Sequence, residues 1–359
     1  MSETIINPNQ LRQSGDTSSK TLINENQIRQ SGDTSSKTLI NTNQIGERVL
    51  GSPVDTVKSS GVSLDTYTAN FMNSKGGKFY WKEANNKVTY SENADLSNTA
   101  TIDLHSSNGT LMFGNNIIVS VYPYVNNGIV TAQIDVYDTS FNYIRTINKE
   151  NVLPASSQWN YILYNGYICI INSGKVVKIE DNTSVTDVTS GEIAGGFQFG
   201  QVDGNEVLVT CVENAGSSSA KYHIKKVNLD TLAIITTGSM IAIKSYSGSD
   251  ASNCIKIGST YYCAVKTTLY TSSDLNTWTS SSYAYACQKL IVDGDKIYTV
   301  CKTGIYVTED FVTAELFCAT TTMTSENSLE IRTAQINNDG LIVMRATNSA
   351  FESVIAKYE

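Results

Sequence analysis

The stretch Lys289-Leu290-Ile291-Val292-Asp293-Gly294-Asp295-Lys296-Ile297-Tyr298 decides how this chain is read. Two apolar runs flank a Gly-Asp pair, and glycine reaches the positive φ that a tight hairpin turn requires. A glycine turn leading into an apolar strand recurs at Gly77, Gly114, Gly166, Gly204, Gly258, Gly294 and Gly340. The successive spacings are 37, 52, 38, 54, 36 and 46, about 44 residues on average. That is the length of one four-stranded blade. A second apolar run follows most of these strands, as in Ile134-Asp135-Val136-Tyr137, Val176-Val177-Lys178-Ile179 and Gly304-Ile305-Tyr306-Val307. Near-continuous apolar strands imply cover on both faces. The expectation is an all-β, seven-bladed β-propeller over residues 61–359, with six and eight blades as the alternatives. Its last unit stops at Val354-Ile355-Ala356-Lys357-Tyr358 without an outer strand. Val62-Ser63-Leu64-Asp65-Thr66-Tyr67 is the expected source of the missing one.

Residues 1–50 follow a different grammar, an extended repeat segment with a period of 17, and residues 51–60 read as a linker. Asn7–Ile23 returns as Asn24–Ile40 with only Pro8/Glu25 and Leu11/Ile28 changed, and a third copy begins at Asn41 and breaks off at Gly46. Each copy holds too little apolar surface for a core of its own, so it is either a disordered tail or a peptide that orders against a partner, and the second is the expectation. The first copy contributes Gln10, Leu11, Arg12, Leu22 and Ile23 as anchoring residues. Gln27, Ile28, Arg29, Leu39 and Ile40 are their counterparts in the second, and Gln44 and Ile45 in the third. A repeated peptide suits neighbouring subunits of a symmetric assembly or homo-oligomer.

The 359 residues carry 26 basic and 34 acidic side chains, a net charge of -8 that argues against a phosphate-backbone binder. No apolar run reaches the roughly 18 residues of a membrane span, and the polar N-terminus lacks a secretion signal. Cys169, Cys211, Cys254, Cys263, Cys287, Cys301 and Cys318 are odd in number and sit in apolar runs. They read as core thiols of a protein made in a reducing cytoplasm. His105 and His223 lie far apart, and no Cys/His spacing suggests zinc or another cofactor.

Tyr270-Thr271-Ser272-Ser273-Asp274-Leu275-Asn276-Thr277-Trp278-Thr279 resembles the Asp-box hairpin of sialidase-like propellers. Asn276 replaces the family's glycine and the tryptophan comes one residue early. Tyr306-Val307-Thr308-Glu309-Asp310-Phe311 repeats the frame without Trp, and Tyr90–Leu96 is a looser echo. The resemblance implies a structural role, with Asp binding turn N–H groups and Trp packing between strands. Sialidase chemistry needs three converging arginines, a Tyr/Glu nucleophile pair and an acid. The propeller region offers only Arg145, Arg332 and Arg345, none followed by proline, so no enzyme is expected.

An anchor followed by a propeller is similar in organisation to bacteriophage virion proteins of the fibre, tail or capsid-decorating kind. That resemblance implies a virion location, repeats docked on capsid or tail, and a propeller facing a host-surface glycan or protein. Tyr122, Tyr124, Trp159, Tyr246, Tyr283 and Tyr285 are the candidate contact residues. The alternatives are an interaction scaffold of a cell and, behind it, a glycan-active enzyme.

Overall fold

The computed structural model describes residues 3–7, 10–14, 22–23, 27–28, 55–59, 73–75, 78–82, 86–91, 99–105, 109–153, 160–172, 174–180, 188–193, 196–213, 220–242, 251–319, 330–336, 342–347 and 353–358. Strands are the only regular elements among them, and nearly all are grouped in four-stranded antiparallel sheets.

The first sheet comprises Asn73–Lys75, Lys78–Lys82, Lys87–Ser91 and Thr99–Asp103. The second comprises Thr110–Phe113, Ile118–Asn126, Ile129–Tyr137 and Tyr143–Glu150. Asn160–Tyr164, Tyr167–Asn172, Lys175–Glu180 and Val188–Glu192 make the third. In the fourth, Gly196–Asp203, Glu206–Glu213, Lys221–Asn228 and Ile234–Thr237 are joined by the short Ile241–Ala242. Ile255–Ile257, Thr260–Val265, Thr268–Ser272 and Thr279–Ser282 form the fifth. The sixth is Cys287–Asp293, Lys296–Cys301, Gly304–Thr308 and Glu315–Ala319. The seventh pairs Glu330–Ile336, Ile342–Thr347 and Ser353–Tyr358 with Asp55–Ser59.

The recurring glycines sit where the first strand of a sheet turns into the second. Gly294 has φ +58 between Asp293 and Lys296, the glycine-first geometry of a two-residue hairpin loop. Asn165-Gly166 makes the mirror-type turn with both residues at positive φ, 44 and 78. Gly77 and Gly340 lie outside the described residues.

Six apolar clusters, each spanning two consecutive sheets, account for the packing. Phe113 and Tyr137 meet Tyr80 and Val88; Ile134 and Val136 meet Ile170 and Val177; Val207 and Val209 meet Cys169 and Ile171. Tyr222 and Ile224 meet Cys263, Ala264 and Leu269 meet Ile297 and Cys301, and Val300 and Ile305 meet Ile331. Each of the second to sixth sheets therefore buries one face against its predecessor and the other against its successor, which is why their middle strands are apolar on both sides.

The seventh sheet corrects two expectations. Its fourth strand is Asp55–Ser59, inside the residues read as a linker, while 62–67 lie outside the described residues. With Val57 its single central apolar residue, this strand carries no local strand signal. The free edge of Ser353–Tyr358 recruits it, since an unpaired edge exposes a row of backbone donors and acceptors.

The turns between third and fourth strands share a second device. Asp274 accepts the N–H groups of Asn276 (2.8 Å) and Thr277 (2.7 Å), and the Ser272 hydroxyl accepts that of Leu275 (2.8 Å). One sheet later Asp310 accepts Val312 and Thr313, and Thr308 accepts Phe311. Leu275 and Phe311 have φ of 65 and 60, and both are buried. A non-glycine residue in this region costs roughly 1–2 kcal/mol, offset by burying the side chain. Trp278 packs half-buried on this cluster and donates its indole N–H to the Leu275 carbonyl at 3.0 Å. Residues 92–96 of the looser echo lie outside the described residues.

Contacts divide the chain into two compact units, residues 1–52 and 53–359. In the first, Glu3–Asn7 pairs with Gln10–Ser14 and Leu22–Ile23 with Gln27–Ile28, both antiparallel. Arg29, Leu39, Ile40, Gln44 and Ile45 lie outside the described residues.

Candidate binding site

Two places in the sheets gather binding chemistry. The first is the hairpin of Ile118–Asn126 and Ile129–Tyr137, nine residues a strand and the longest among the described residues. The first strand of that sheet pairs only as far as Val121, so the hairpin continues beyond it. Tyr122 and Tyr124 stand opposite Gln133 and Thr131 on one face, and Val125 stands opposite Val130 on the other. The tip is an Asn127-Gly128 turn with φ of 49 and 82. Val125 is 57% exposed and Ile129 41%, while Tyr122 and Tyr124 are half-buried. The structure thus unites the two tyrosines expected to make contacts with apolar residues at an exposed tip.

The second place is a small solvent-open cleft between the fourth and fifth sheets, lined by Gln201, Asp203, Glu206, Lys226, Lys256 and Tyr261 around Val207 and Leu208. It flanks the Gly204 and Gly258 turns. Lys226 Nζ lies 2.9 Å from Glu206 Oε2, a contact that raises the lysine pKa. Lys256 Nζ lies 3.9 Å from Asp203 Oδ2, and its backbone N–H donates to Gln201 Oε1 at 2.6 Å. Paired charges leave a polar groove with donors and acceptors and no activated nucleophile. The polar residues beside these turns were legible only as turn chemistry.

The remaining tyrosines separate. Tyr283 is a core residue: it is buried, its hydroxyl is 2.9 Å from Thr299 Oγ1, and its ring packs edge-on against Tyr285 and Phe311. Burial pushes its phenol above the usual range. Tyr285 is half-buried and stacked on Tyr306. Trp159 and Tyr246 lie outside the described residues.

One arrangement has the composition of a nucleophile, base and acid. Cys211 is the register partner of His223, whose Nε2 is 3.4 Å from Glu213 Oε1. Burial pushes the Cys211 thiol up to about 12 and, with Lys225, holds the imidazole below its ordinary value. Neither imidazole nitrogen makes a hydrogen bond, and the thiol donates to the Val209 carbonyl. Such a set lacks the nucleophile-to-base hydrogen bond that activates a thiol. All seven cysteines are free and buried. His105 stacks on Tyr143 with ring centroids 3.9 Å apart. Arg332 and Arg345 occupy paired strands of the seventh sheet, and Arg145 the fourth strand of the second.

No family model and no curated protein matches this chain. Solved structures similar to it include the AfRom2 CNH domain, 10% identical, covering 85% of this chain and 99% of that one at a TM-score of 0.49. Saccharomyces cerevisiae Sqt1 is 9% identical, with 80% and 83% covered and a TM-score of 0.49. The Neurospora crassa Pan2 WD40 domain is 9% identical, with 85% and 94% covered and a TM-score of 0.38.

Proposed function

We propose that residues 53–359 form a closed, seven-bladed, non-enzymatic propeller that works as a protein-interaction scaffold. The observation that carries this reading is the pairing of Asp55–Ser59 with the last strand of the chain, added to apolar packing between successive sheets. A sheet whose outer strand precedes the first sheet in sequence ties the two ends of the series together. A ring of this kind holds its loops rigidly and offers them for contact. The hairpin carrying Tyr122, Tyr124, Val125 and Ile129 is its contact element, since tyrosine is favoured at protein interfaces.

The test is affinity capture from the source extract by the full chain and by a Tyr124→Ala/Val125→Asp variant of unchanged melting temperature. A protein bound stoichiometrically by the first and lost from the second supports the reading. Equal capture by both removes the hairpin from it, and turnover of a sialoside or polysaccharide by the full chain overturns it.

The near-identical 17-residue repeat favours a second reading, in which residues 1–50 dock on repeated sites of a bacteriophage capsid or tail and the propeller faces a host-surface glycan or protein. Fusing residues 1–50 to an unrelated protein tests it. Co-sedimentation of the fusion with phage particles from the source supports a virion role, and a fusion that stays in the supernatant refutes it.

A further inference from the structure

We infer that Cys287 and Cys301 are a redox-modification site, a thiol pair that closes to an intramolecular disulfide when the protein meets a low-molecular-weight disulfide such as oxidised glutathione.

The two residues are direct register partners on the first and second strands of the sixth sheet. Opposed residues of an antiparallel pair project to the same face, and both side chains belong to one apolar cluster at 0% and 3% exposure. The Cys287 N–H donates to the Lys266 carbonyl of the fifth sheet at 3.3 Å, so it is not spent on Cys301. The ladder is irregular between Cys287 and Lys289, just beyond the pair; opposed residues of an antiparallel ladder have Cα atoms about 4.5–5.5 Å apart. Disulfides span about 4.4–6.8 Å between Cα atoms, so the bond closes without moving the strands apart. Each thiol donates to a carbonyl of its own strand, Cys287 to Lys289 at 3.2 Å and Cys301 to Thr299 at 3.8 Å, so each must rotate off that carbonyl before the bond can close.

The other cysteines are placed differently. Cys169 and Cys211 face Lys178 and His223 across their ladders, and Cys318 faces Ile305. Cys254 and Cys263 belong to one apolar cluster, but the ladder of their strands ends at Ile255 opposite Tyr262, so the two are not register partners within it.

The exchange balances in two steps. The thiolate of one cysteine attacks a sulfur of oxidised glutathione, forming a mixed disulfide and expelling one glutathione thiolate. The second cysteine, losing its proton to water, attacks the protein sulfur of that mixed disulfide and expels the other. Two protein thiols are oxidised and one glutathione disulfide is reduced. Burial pushes the Cys287 thiol upward, so the thiolate fraction, and with it the rate, rises with pH.

The test uses the full chain incubated with oxidised glutathione at alkaline pH, then unfolded, alkylated and digested with trypsin. Lys266, Lys289, Lys296 and Lys302 place Cys287 in peptide 267–289 and Cys301 in peptide 297–302. The expected result is these two peptides cross-linked, the other five cysteines alkylated, and all seven alkylated after reduction. Cys254→Ser is expected to form the same bond, whereas Cys301→Ser leaves peptide 267–289 as a glutathione adduct. Seven alkylated cysteines in the oxidised wild type, persistent glutathione adducts on either partner, or a Cys254–Cys263 cross-link in its place overturns the proposal.

Discussion

Val57 stands directly opposite Ile355, pairing a strand that precedes the first sheet with the last strand of the chain. Nearly three hundred residues separate the two. Their pairing places a strand that precedes the first sheet in sequence at the edge of the last one.

Truncation is expected to respond to this pairing as a step. Removing residues 1–52 leaves Asp55–Ser59 in place, and the melting temperature of the remainder stays at that of the full chain. Removing residues 1–60 strips the outer strand and bares the edge of Ser353–Tyr358, which lowers melting and promotes association. Calorimetry and sedimentation velocity check both, and equal behaviour of the two truncations would contradict ring closure at this strand.

Leu275 inverts the usual ranking of small residues. Its side chain is 1% exposed, so Leu275→Ala is expected to cost about 2–5 kcal/mol. Its φ of 65 is open to glycine and costly for alanine, so Leu275→Gly is no more destabilised than Leu275→Ala. Urea midpoints of the two variants decide; a clearly less stable glycine variant contradicts the left-handed turn.

Acid should reach the Asp274 and Asp310 turns through their carboxyls. Backbone N–H groups of Thr277 and Asn276 hold Asp274 below its ordinary 3.8, and those of Thr313 and Val312 do the same for Asp310. A depressed carboxyl pKa contributes stability above the unfolded value and loses it as pH falls through the folded one. An Asp274→Asn/Asp310→Asn variant is therefore expected to lose less stability than wild type between about pH 5 and pH 2. The measurement is the denaturation midpoint across that range, and parallel curves would show that these turns do not titrate with folding.

His223 acts in the opposite window. Its imidazole is buried without a hydrogen bond, beside Cys211 and Lys225 on its face and 3.4 Å from Glu213. Burial and Lys225 lower its pKa from 6.5, so the unfolded chain takes up a proton before the folded one does. Stability is then expected to fall as pH drops below about 6.5 and to level off past the folded value. His223→Leu removes an unsatisfied buried group and should be neutral or stabilising, with that pH dependence reduced. A markedly destabilised leucine variant would show that the imidazole holds a contact.

Much of the architecture was legible because glycine turns leave a local mark. Gly114, Gly166, Gly204, Gly258 and Gly294 each stand before the second strand of a sheet, as their spacing implied. The Asp274 and Asp310 frames were legible for the same reason, since a side chain bonding two or three residues ahead is a short-range pattern. Of the candidate contacts, Tyr122 and Tyr124 lie half-buried on the long hairpin of the second sheet, but Tyr283 lies in the core. Both kinds are tyrosines spaced two apart in strand-and-turn sequence, and the burial of Tyr283 depends on Phe311 and Thr299, which the local sequence does not place beside it.

By itself, then, the sequence determined the strand spacing, the hairpin turns and the apolar character of the middle strands, because each is a relation among residues a few positions apart. Only the tertiary structure decided that Asp55–Ser59 closes the last sheet, that Cys287 meets Cys301, and that Gln201, Glu206 and Lys256 share a cleft. Those relations join different strands and sheets. They follow from which edge was left unpaired and which faces were left uncovered, conditions that exist only once the sheets have formed and packed.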